Sequence, residues 1–247
     1  MAKKKYNHYV PKFYMANFSG SSNYIDKCIL SSGKIVRGVP TKSTGGKDYL
    51  YGKDGVIEDA FSKMESIWAS IVRSIIRTEQ LPRDRNSIEE LLFFIVFSDF
   101  RTWSHAQETL ELWKTLYQTM ARMYKAHGRL DIPDEMIECI TAEDPIPNRY
   151  AFKHASHVVD CCRDLRIALI KNISDMPFVT SDNPAAKYNQ LFMERGYFRP
   201  YGYGHRGFQL FLPLSLKLCL VLYDPCAYRV HHMHNGKIIL KDPKAIR

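Results

Sequence analysis

The sequence predicts an α+β protein in which helices and strands occupy separate parts of the chain. Residues 56–162 carry helical periodicity, whereas the last third consists of short apolar or alternating runs bounded by Pro, Asp, Asn or Gly. A hairpin pattern precedes the helices, and this order of elements favours α+β over a βαβ repeat. We therefore predict a single domain with an N-terminal part at 1–55, a helical part at 56–162 and a β-rich part at 163–247.

The N-terminal part predicts one short helix and one hairpin. Residues 1–7 have the composition of a mobile basic start, and Pro11 suits the first position of a helix, which we place at 12–17. The strings NYIDKCIL and KIVRGV flank the connection SSG, a pattern typical of a β-hairpin. The glycines within 40–55 indicate a loop.

The central part predicts five helices. In the first, at 56–79, apolar residues recur at steps of four and three, namely Ile57, Phe61, Met64, Trp68, Ile71 and Ile75. The second, at 87–103, has Asn86 or Ser87 as its cap and contains LLFFIVF, which is apolar nearly all round and belongs in the core. The remaining helices are predicted at 104–126, 133–142 and 148–162.

The final part predicts strands of a mainly antiparallel sheet. Short runs rich in β-branched and aromatic residues, bounded by turn residues, are typical of such strands. These runs are RIALIKNI, MPFVTSD, LKLCLVLYD, YRVHH and KIILK.

The charge of the chain indicates an anionic partner. The formal net charge is +9, and nucleic acid is the commonest partner of a protein with such an excess. Because the basic residues are spread along the chain, a basic solvated surface without a specific partner is the alternative.

The cysteines and the absence of common sequence motifs argue against several classes of protein. The six cysteines are scattered, form no CxxC pair and follow no secretory signal, so we expect reduced thiols and a cytoplasmic location. No apolar run approaches the roughly 18 residues that a membrane span needs. The motifs GxxxxGK[ST], GxGxxG, GxSxG and HExxH do not occur, which argues against the common nucleotide-binding, hydrolase and zinc-protease mechanisms.

Charged residues occur at helix positions where apolar ones are expected. Helical spacing places Asp99 on the buried stripe of the second helix, and Arg101 follows Phe97 by one turn. Glu58 and Glu65 share one edge of the preceding helix, and an antiparallel packing of the two helices would bring Glu58 near Arg101 or Asp99. Two interpretations remain: a buried ion-pair network, or carboxylates that bind a metal or act as acid and base beside an anion-binding arginine.

The string TSDNP, at 180–184, follows a predicted strand. Asp182 and Asn183 place two hydrogen-bonding side chains in a turn that Pro184 stiffens. An Asx-turn without further role is one interpretation. A metal ligand or general base is the other, because a strand end fixes such a residue while its loop leaves it open.

Several strings together resemble one family. They are HYVPKFYMANF, IEDAFSKMES, FSDFRT, MPFVTSDNPA and FLPLS, and they span about residues 7–225. Their order and spacing are similar to the bacterial and phage group catalogued as domain of unknown function 4238. The resemblance implies that nine positions match the family's typical pattern: His8, Pro11, Phe18, Glu58, Glu65, Arg101, Asp182, Asn183 and Pro184. It implies no reaction.

These residues favour a metal-assisted hydrolase that acts on a phosphodiester or a nucleotide. In this hypothesis Glu58, Glu65 and Asp182 bind a divalent ion, Mg or Mn. The catalytic side chains are His8, Arg101 and Asn183: His8 is a general base or a ligand, and Arg101 stabilises phosphate charge.

A non-catalytic module is the alternative hypothesis. The same side chains would then form a structural network that clamps the N-terminal segment, while the basic surface binds nucleic acid or a protein. A metal-free pocket that modifies a small metabolite is a third possibility. Convergence of the side chains around an open pocket would favour the enzyme, and a sealed, mutually paired cluster would favour the module.

Overall fold

A computed structural model describes residues 5–20, 23–52, 55–140, 148–193, 202–232 and 238–240. The helices of these residues are α1 (Lys12–Ala16), α2 (Val56–Thr78), α3 (Arg85–Phe100), α4 (Trp103–Ala126), α5 (Asp134–Glu138) and α6 (Asn148–Cys161). The strands are β1 (Tyr6–His8), β2 (Tyr24–Ile29), β3 (Lys34–Pro40), β4 (Gly46–Asp48), β5 (Arg166–Lys171), β6 (Ala186–Tyr188), β7 (Gln209–Pro213), β8 (Leu218–Tyr223), β9 (Val230–His232) and β10 (Ile238–Leu240). The fold is α+β, as the sequence predicts.

The main sheet is antiparallel and has the strand order β5-β8-β7-β6. Every residue of the central strand β8 is buried, which explains its unbroken apolar string LCLVLY. Three two-stranded pairs accompany the main sheet: β1 with β4, β2 with β3, and β9 with β10.

Helix α3 lies at the centre of the core. It packs against α2 and α6, and its apolar run is buried on nearly all sides. The Trp68 ring of α2 contacts Phe94 and Phe97 of α3, with ring centroids 5.7 Å and 6.0 Å away. One hydrophobic cluster includes Val10 near the start of the chain, these helices, and Leu220 of β8, so the three parts of the chain share a core.

Most element predictions are confirmed, and the differences have physical reasons. Residues 1–7 were predicted to be a mobile start and 40–55 a loop, but Tyr6–His8 form β1 and Gly46–Asp48 form β4, and these strands pair with each other. The string MPFVTSD forms no strand; Phe178 N donates to Leu216 O at 3.0 Å, but no ladder follows. Asp84, not Asn86 or Ser87, caps α3, because its side chain accepts from Ser87 N.

The short strands β6 and β7 were not predicted. Within the part of the chain that the structure describes, no helix has the length and apolar content that crossing a membrane requires.

Candidate functional site

The pairing of β1 with β4 fixes the position of His8. His8 lies opposite Gly46, and Tyr6 lies opposite Asp48. A Cβ atom on Gly46 would come within 2.5 Å of Tyr6 Cε1 and 2.6 Å of Asn7 O. Only glycine permits this close approach, so β4 holds the HYVPKFY segment against the body of the protein.

Arg101 lies at the other side of the same segment, directly after α3 ends. Its Nη2 atom donates to Glu65 Oε1 of α2 at 2.8 Å and to the backbone oxygen of His8 at 2.7 Å. The guanidinium also lies over the Phe61 ring, 4.7 Å from its centroid. The Arg101 side chain is 1% exposed and that of Glu65 is 26% exposed, so this ion pair is sealed on the arginine side.

The other two nitrogen atoms of the Arg101 guanidinium are also shielded from solvent. Nε and Nη1 are buried and have no hydrogen-bond partner within the described residues. Burial lowers the pKa of Arg101, but Tyr51 and Glu65 beside the guanidinium outweigh this effect and the pKa is raised. Arg101 therefore carries a permanent buried charge, and Glu65 compensates it.

Asn7 and Tyr51 complete the network, and the sequence predicted neither. The Asn7 side chain donates to Glu58 Oε2 at 3.3 Å and accepts from Tyr51 N at 3.4 Å. The Tyr51 hydroxyl donates to His8 O at 3.0 Å, so this carbonyl accepts from both Tyr51 and Arg101. Glu58, which was predicted near Arg101 or Asp99, binds Asn7, and Glu65 takes the place beside Arg101.

The His8 ring is half-buried between charged neighbours. It packs edge-on against Tyr6, with ring centroids 5.1 Å apart. Burial lowers the pKa of His8 and Lys12 adds to this effect, whereas backbone groups of Thr41 and Lys42 and the Glu65 carboxylate oppose it. The buried Nε2 atom has no partner among the described residues. The imidazole is consequently neutral at neutral pH, as a general base must be.

The TSDNP segment docks on α1 through Tyr14. The buried Tyr14 hydroxyl donates to Pro213 O at 2.6 Å and lies 3.0 Å from Thr180 Oγ1. Asp182 and Asn183 are exposed. The Ser181 hydroxyl donates to Asn183 O at 2.7 Å and accepts from Asn183 N, so the local turn is a serine turn.

The charge of Asp182 acts on Tyr9, the second residue of the HYVPKFY segment. Burial raises the pKa of Tyr9, and the charge of Asp182 raises it further. The charge of Glu65 likewise raises the pKa of His8, so His8 and Tyr9 each feel the charge of one carboxylate. No hydrogen bond joins Asp182 to His8, Glu65 or Arg101 within the described residues. Likewise, no group of three or more His, Cys, Asp or Glu in that part of the chain has the arrangement of a metal site.

A second polar cluster surrounds Asp99. As the sequence predicts, Asp99 is buried, with 2% exposure, and it has partners. Its Oδ2 atom accepts from Lys187 Nζ of β6 and from the Tyr203 hydroxyl, each at 2.9 Å. Burial raises the pKa of Tyr203 well above its ordinary value, and Asp99 adds to this effect. These partners were not predicted, because they lie far along the chain.

His105 borders the second cluster at the start of α4. Its ring centroid lies 4.5 Å from that of Phe100. Burial lowers the pKa of His105; Asp99 opposes this effect, and Lys187 adds to it. The cluster thus joins the α3-α4 corner to the main sheet.

Comparison with known proteins identifies the family of the chain. A family model described as protein of unknown function (DUF4238) matches residues 6–247. Comparisons with curated proteins and with solved structures find no match. Because the family model covers nearly the whole chain, from β1 through both polar clusters to the last strand, the protein belongs to the DUF4238 family.

Proposed function

We propose that this protein is a nucleic-acid-binding module in which the cluster around Arg101 is structural. The observation that carries the proposal is the sealed guanidinium of Arg101, which is 1% exposed and bound to Glu65 and His8. A phosphate group cannot contact this guanidinium unless protein atoms move away. The cluster therefore serves to hold the N-terminal segment, and binding falls to the basic surface.

The charge of the chain supports nucleic acid as the partner. An excess of +9 over 247 residues favours association with a polyanion, and the phosphates of nucleic acid supply most of the affinity in such cases. The six free cysteines fit the cytoplasm, the compartment that we propose, in a bacterial or phage setting.

Direct binding measurements test the proposal. Fluorescence anisotropy would compare labelled single-stranded DNA, duplex DNA and RNA between about 50 and 200 mM salt. We expect binding that weakens steeply with salt, and no breakdown of the probe when Mg or Mn is added. If the protein binds none of these three probes at low salt, the proposal is overturned.

A second candidate function is the metal-assisted hydrolase. The observation in its favour is that His8 Nε2 is buried without a partner in the described structure, while the charges of Glu65 and Asp182 act on His8 and Tyr9. Glu58, Glu65 and Asp182 do not form a metal site in the described structure, so they would have to converge to hold the Mg or Mn ion, which would stabilise the charge of a phosphodiester. His8 would accept the proton of the attacking water, and Asn183 would orient the substrate.

One matched pair of variants separates the two functions. Asp182 and Asp175 are both exposed loop residues, so neither Asp182→Asn nor Asp175→Asn should disturb the fold. A Mn-dependent phosphodiesterase or nuclease activity that Asp182→Asn abolishes and Asp175→Asn retains would establish the hydrolase. If the protein binds nucleic acid but shows no such activity, the result supports the non-catalytic binding module.

A further inference from the structure

Within the described residues, the β2-β3 hairpin packs against the main core near its base. Thr41 N and Thr41 Oγ1 both donate to Asn23 O, at 2.8 Å and 3.2 Å, and Ile25 packs against the main core. Beyond this base, β2 and β3 pack on each other. Leu30 at the tip is 90% exposed and Ile35 is 63% exposed, so the far end reaches into solvent.

Positive charge predominates on this exposed ribbon. Lys27, Lys34 and Arg37 are exposed, and Asp26 is the acidic residue of the two strands. The Asp26 carboxylate already accepts from Gly38 N at 3.0 Å. The ribbon thus presents cations on a narrow two-stranded element.

The register shows how the cations are distributed. Lys27 lies opposite Val36, and Lys34 lies opposite Ile29. Residues that lie opposite each other share a face of the ribbon, so Lys27 and Lys34 lie on one face, and Arg37, next to Val36, lies on the other. A ligand that surrounds the ribbon on both faces, as the walls of a groove do, would meet all three cations.

A bulge twists the ribbon near its base. The register shifts between Ile25 and Lys27, and Gly38, opposite this shift, has a φ of 63°. Bulges with glycine in the left-handed region increase the right-handed twist of a hairpin. A twisted two-stranded ribbon has the width of the major groove of duplex DNA.

We infer that the β2-β3 hairpin is an arm that enters a groove of duplex nucleic acid. Lys27, Lys34 and Arg37 contact phosphates, and Leu30 at the tip contacts base edges in the major groove, where apolar side chains meet the thymine methyl group. This inference rests on the proposed nucleic-acid binding and names the surface that performs it.

Charge decides between nucleic acid and the other occupants of such a ribbon. A second copy of this chain would bring the same three cations together, and like charges repel. A peptide added as a further strand would be fixed mainly by backbone bonds, which do not use the charges of Lys27, Lys34 and Arg37. A polyanion, in contrast, offers a partner of opposite charge to each of the three cations.

Two triple variants with the same loss of charge test the arm. The first is Lys27→Gln, Lys34→Gln, Arg37→Gln. The control is Lys63→Gln, Arg77→Gln, Arg83→Gln, which removes three exposed cations from α2 and the turn after it. We expect the hairpin variant to bind a duplex about tenfold or more weakly and to lower the slope of log affinity against log salt by about 3. The control variant should keep most of the duplex affinity and most of the salt slope of the wild type.

A third variant tests the tip separately. Leu30→Ser removes an exposed apolar side chain without changing charge, so we expect weaker duplex binding with an unchanged salt slope. Circular dichroism melts of all variants would confirm that each is folded.

The outcomes distinguish the arm from the proposed function. If the wild type binds no nucleic acid, the proposed function itself fails. If the wild type binds and the hairpin variant and the control weaken equally, the basic surface is diffuse and the arm is overturned, although the proposed function stands. Unchanged binding by both the hairpin variant and Leu30→Ser would overturn it as well.

Discussion

Asp99 and Arg101 stand two residues apart at the end of α3, and their charged groups bind different parts of the chain. Asp99 accepts from Lys187 and Tyr203 of the C-terminal part, whereas Arg101 donates to His8 and to Glu65. A separation of two residues turns the helix by about 200°, so the two side chains leave it on nearly opposite sides. The FSDFRT string is therefore a corner that ties both ends of the fold to the helical core.

Breaking the N-terminal side of this corner should destabilise the protein. Arg101→Met leaves Glu65 without its buried donor and the His8 carbonyl with Tyr51 alone, and we expect a loss of roughly 3 kcal/mol in the free energy of unfolding. Glu65→Gln retains an acceptor oxygen but leaves the buried charge of Arg101 without its carboxylate, so its cost should also be roughly 3 kcal/mol. Urea denaturation would measure both.

The control for these variants is Arg163→Met, which removes an exposed arginine from ion pairs with Glu89 and Asp160. Its stability should remain close to that of the wild type, because exposed pairs contribute little. Equal losses for Arg101→Met and Arg163→Met would contradict a structural role for the Arg101 cluster.

Breaking the C-terminal side should have a similar effect. Asp99→Asn leaves the Lys187 ammonium and the Tyr203 hydroxyl to a neutral amide in a buried position, at an expected cost of about 2 to 4 kcal/mol. Thermal melting would be compared with that of Asp134→Asn, which loses an exposed pair with Lys125. A melting temperature of Asp99→Asn equal to that of the control would show that the Asp99 cluster does not hold the sheet.

The sequence predicted the charges of the corner but not their partners. Helical spacing places Asp99 and Arg101 on a buried surface, and buried charges need compensation. Lys187 and Tyr203, however, lie 88 and 104 residues from Asp99, and no local pattern records a contact of that span. Such partners are a property of the tertiary fold.

The strands β1 and β4 were missed for a related reason. Each has three residues, too few to show a period of two, and β4 reads GKD, a turn-like composition. Their stability comes from the pairing itself and from the contacts of Asn7 with Glu58 and Tyr51. The His8 position could be proposed from family resemblance, whereas the clamp that holds it could not.

The protein should lose stability in acid partly through His8. Its pKa in the folded state lies below the ordinary value of 6.5, so the unfolded chain binds this proton more readily. The contribution of His8 is therefore fully present above about pH 6.5 and declines as the pH falls toward the folded-state pKa. His105 has a lowered pKa too, and it contributes in the same direction.

The variant His8→Gln isolates this contribution. The difference in unfolding free energy between wild type and variant should grow with pH from about pH 5 to about pH 6.5 and remain constant from there to about pH 8. Denaturant curves at several pH values would measure it, and His105→Gln would show the separate share of the second histidine. A constant difference between wild type and His8→Gln would mean that His8 does not titrate differently on folding.

Tyr14→Phe should loosen the TSDNP segment without unfolding the core. The variant keeps the ring and removes the hydroxyl that donates to Pro213 O and contacts Thr180. The expected cost is about 1 to 2 kcal/mol, together with faster hydrogen exchange in the segment at 176–184. Unchanged exchange there would show that other contacts hold the segment.

Gly46→Ala should release the N-terminal segment more selectively than any change of charge. The added methyl group would meet Tyr6 Cε1 at 2.5 Å and Asn7 O at 2.6 Å, so β1 must move away from β4. We expect a cost of roughly 1 to 3 kcal/mol in the free energy of unfolding.

Gly204→Ala is the matched control, because a Cβ there meets nothing within 4 Å. Since β1 carries the His8 carbonyl to Arg101, hydrogen exchange should rise at 6–9 in Gly46→Ala and stay unchanged in Gly204→Ala. Nucleic-acid binding through the exposed tip and cations of the β2-β3 hairpin should survive this change, whereas a hydrolase that needs His8 in place should lose its activity.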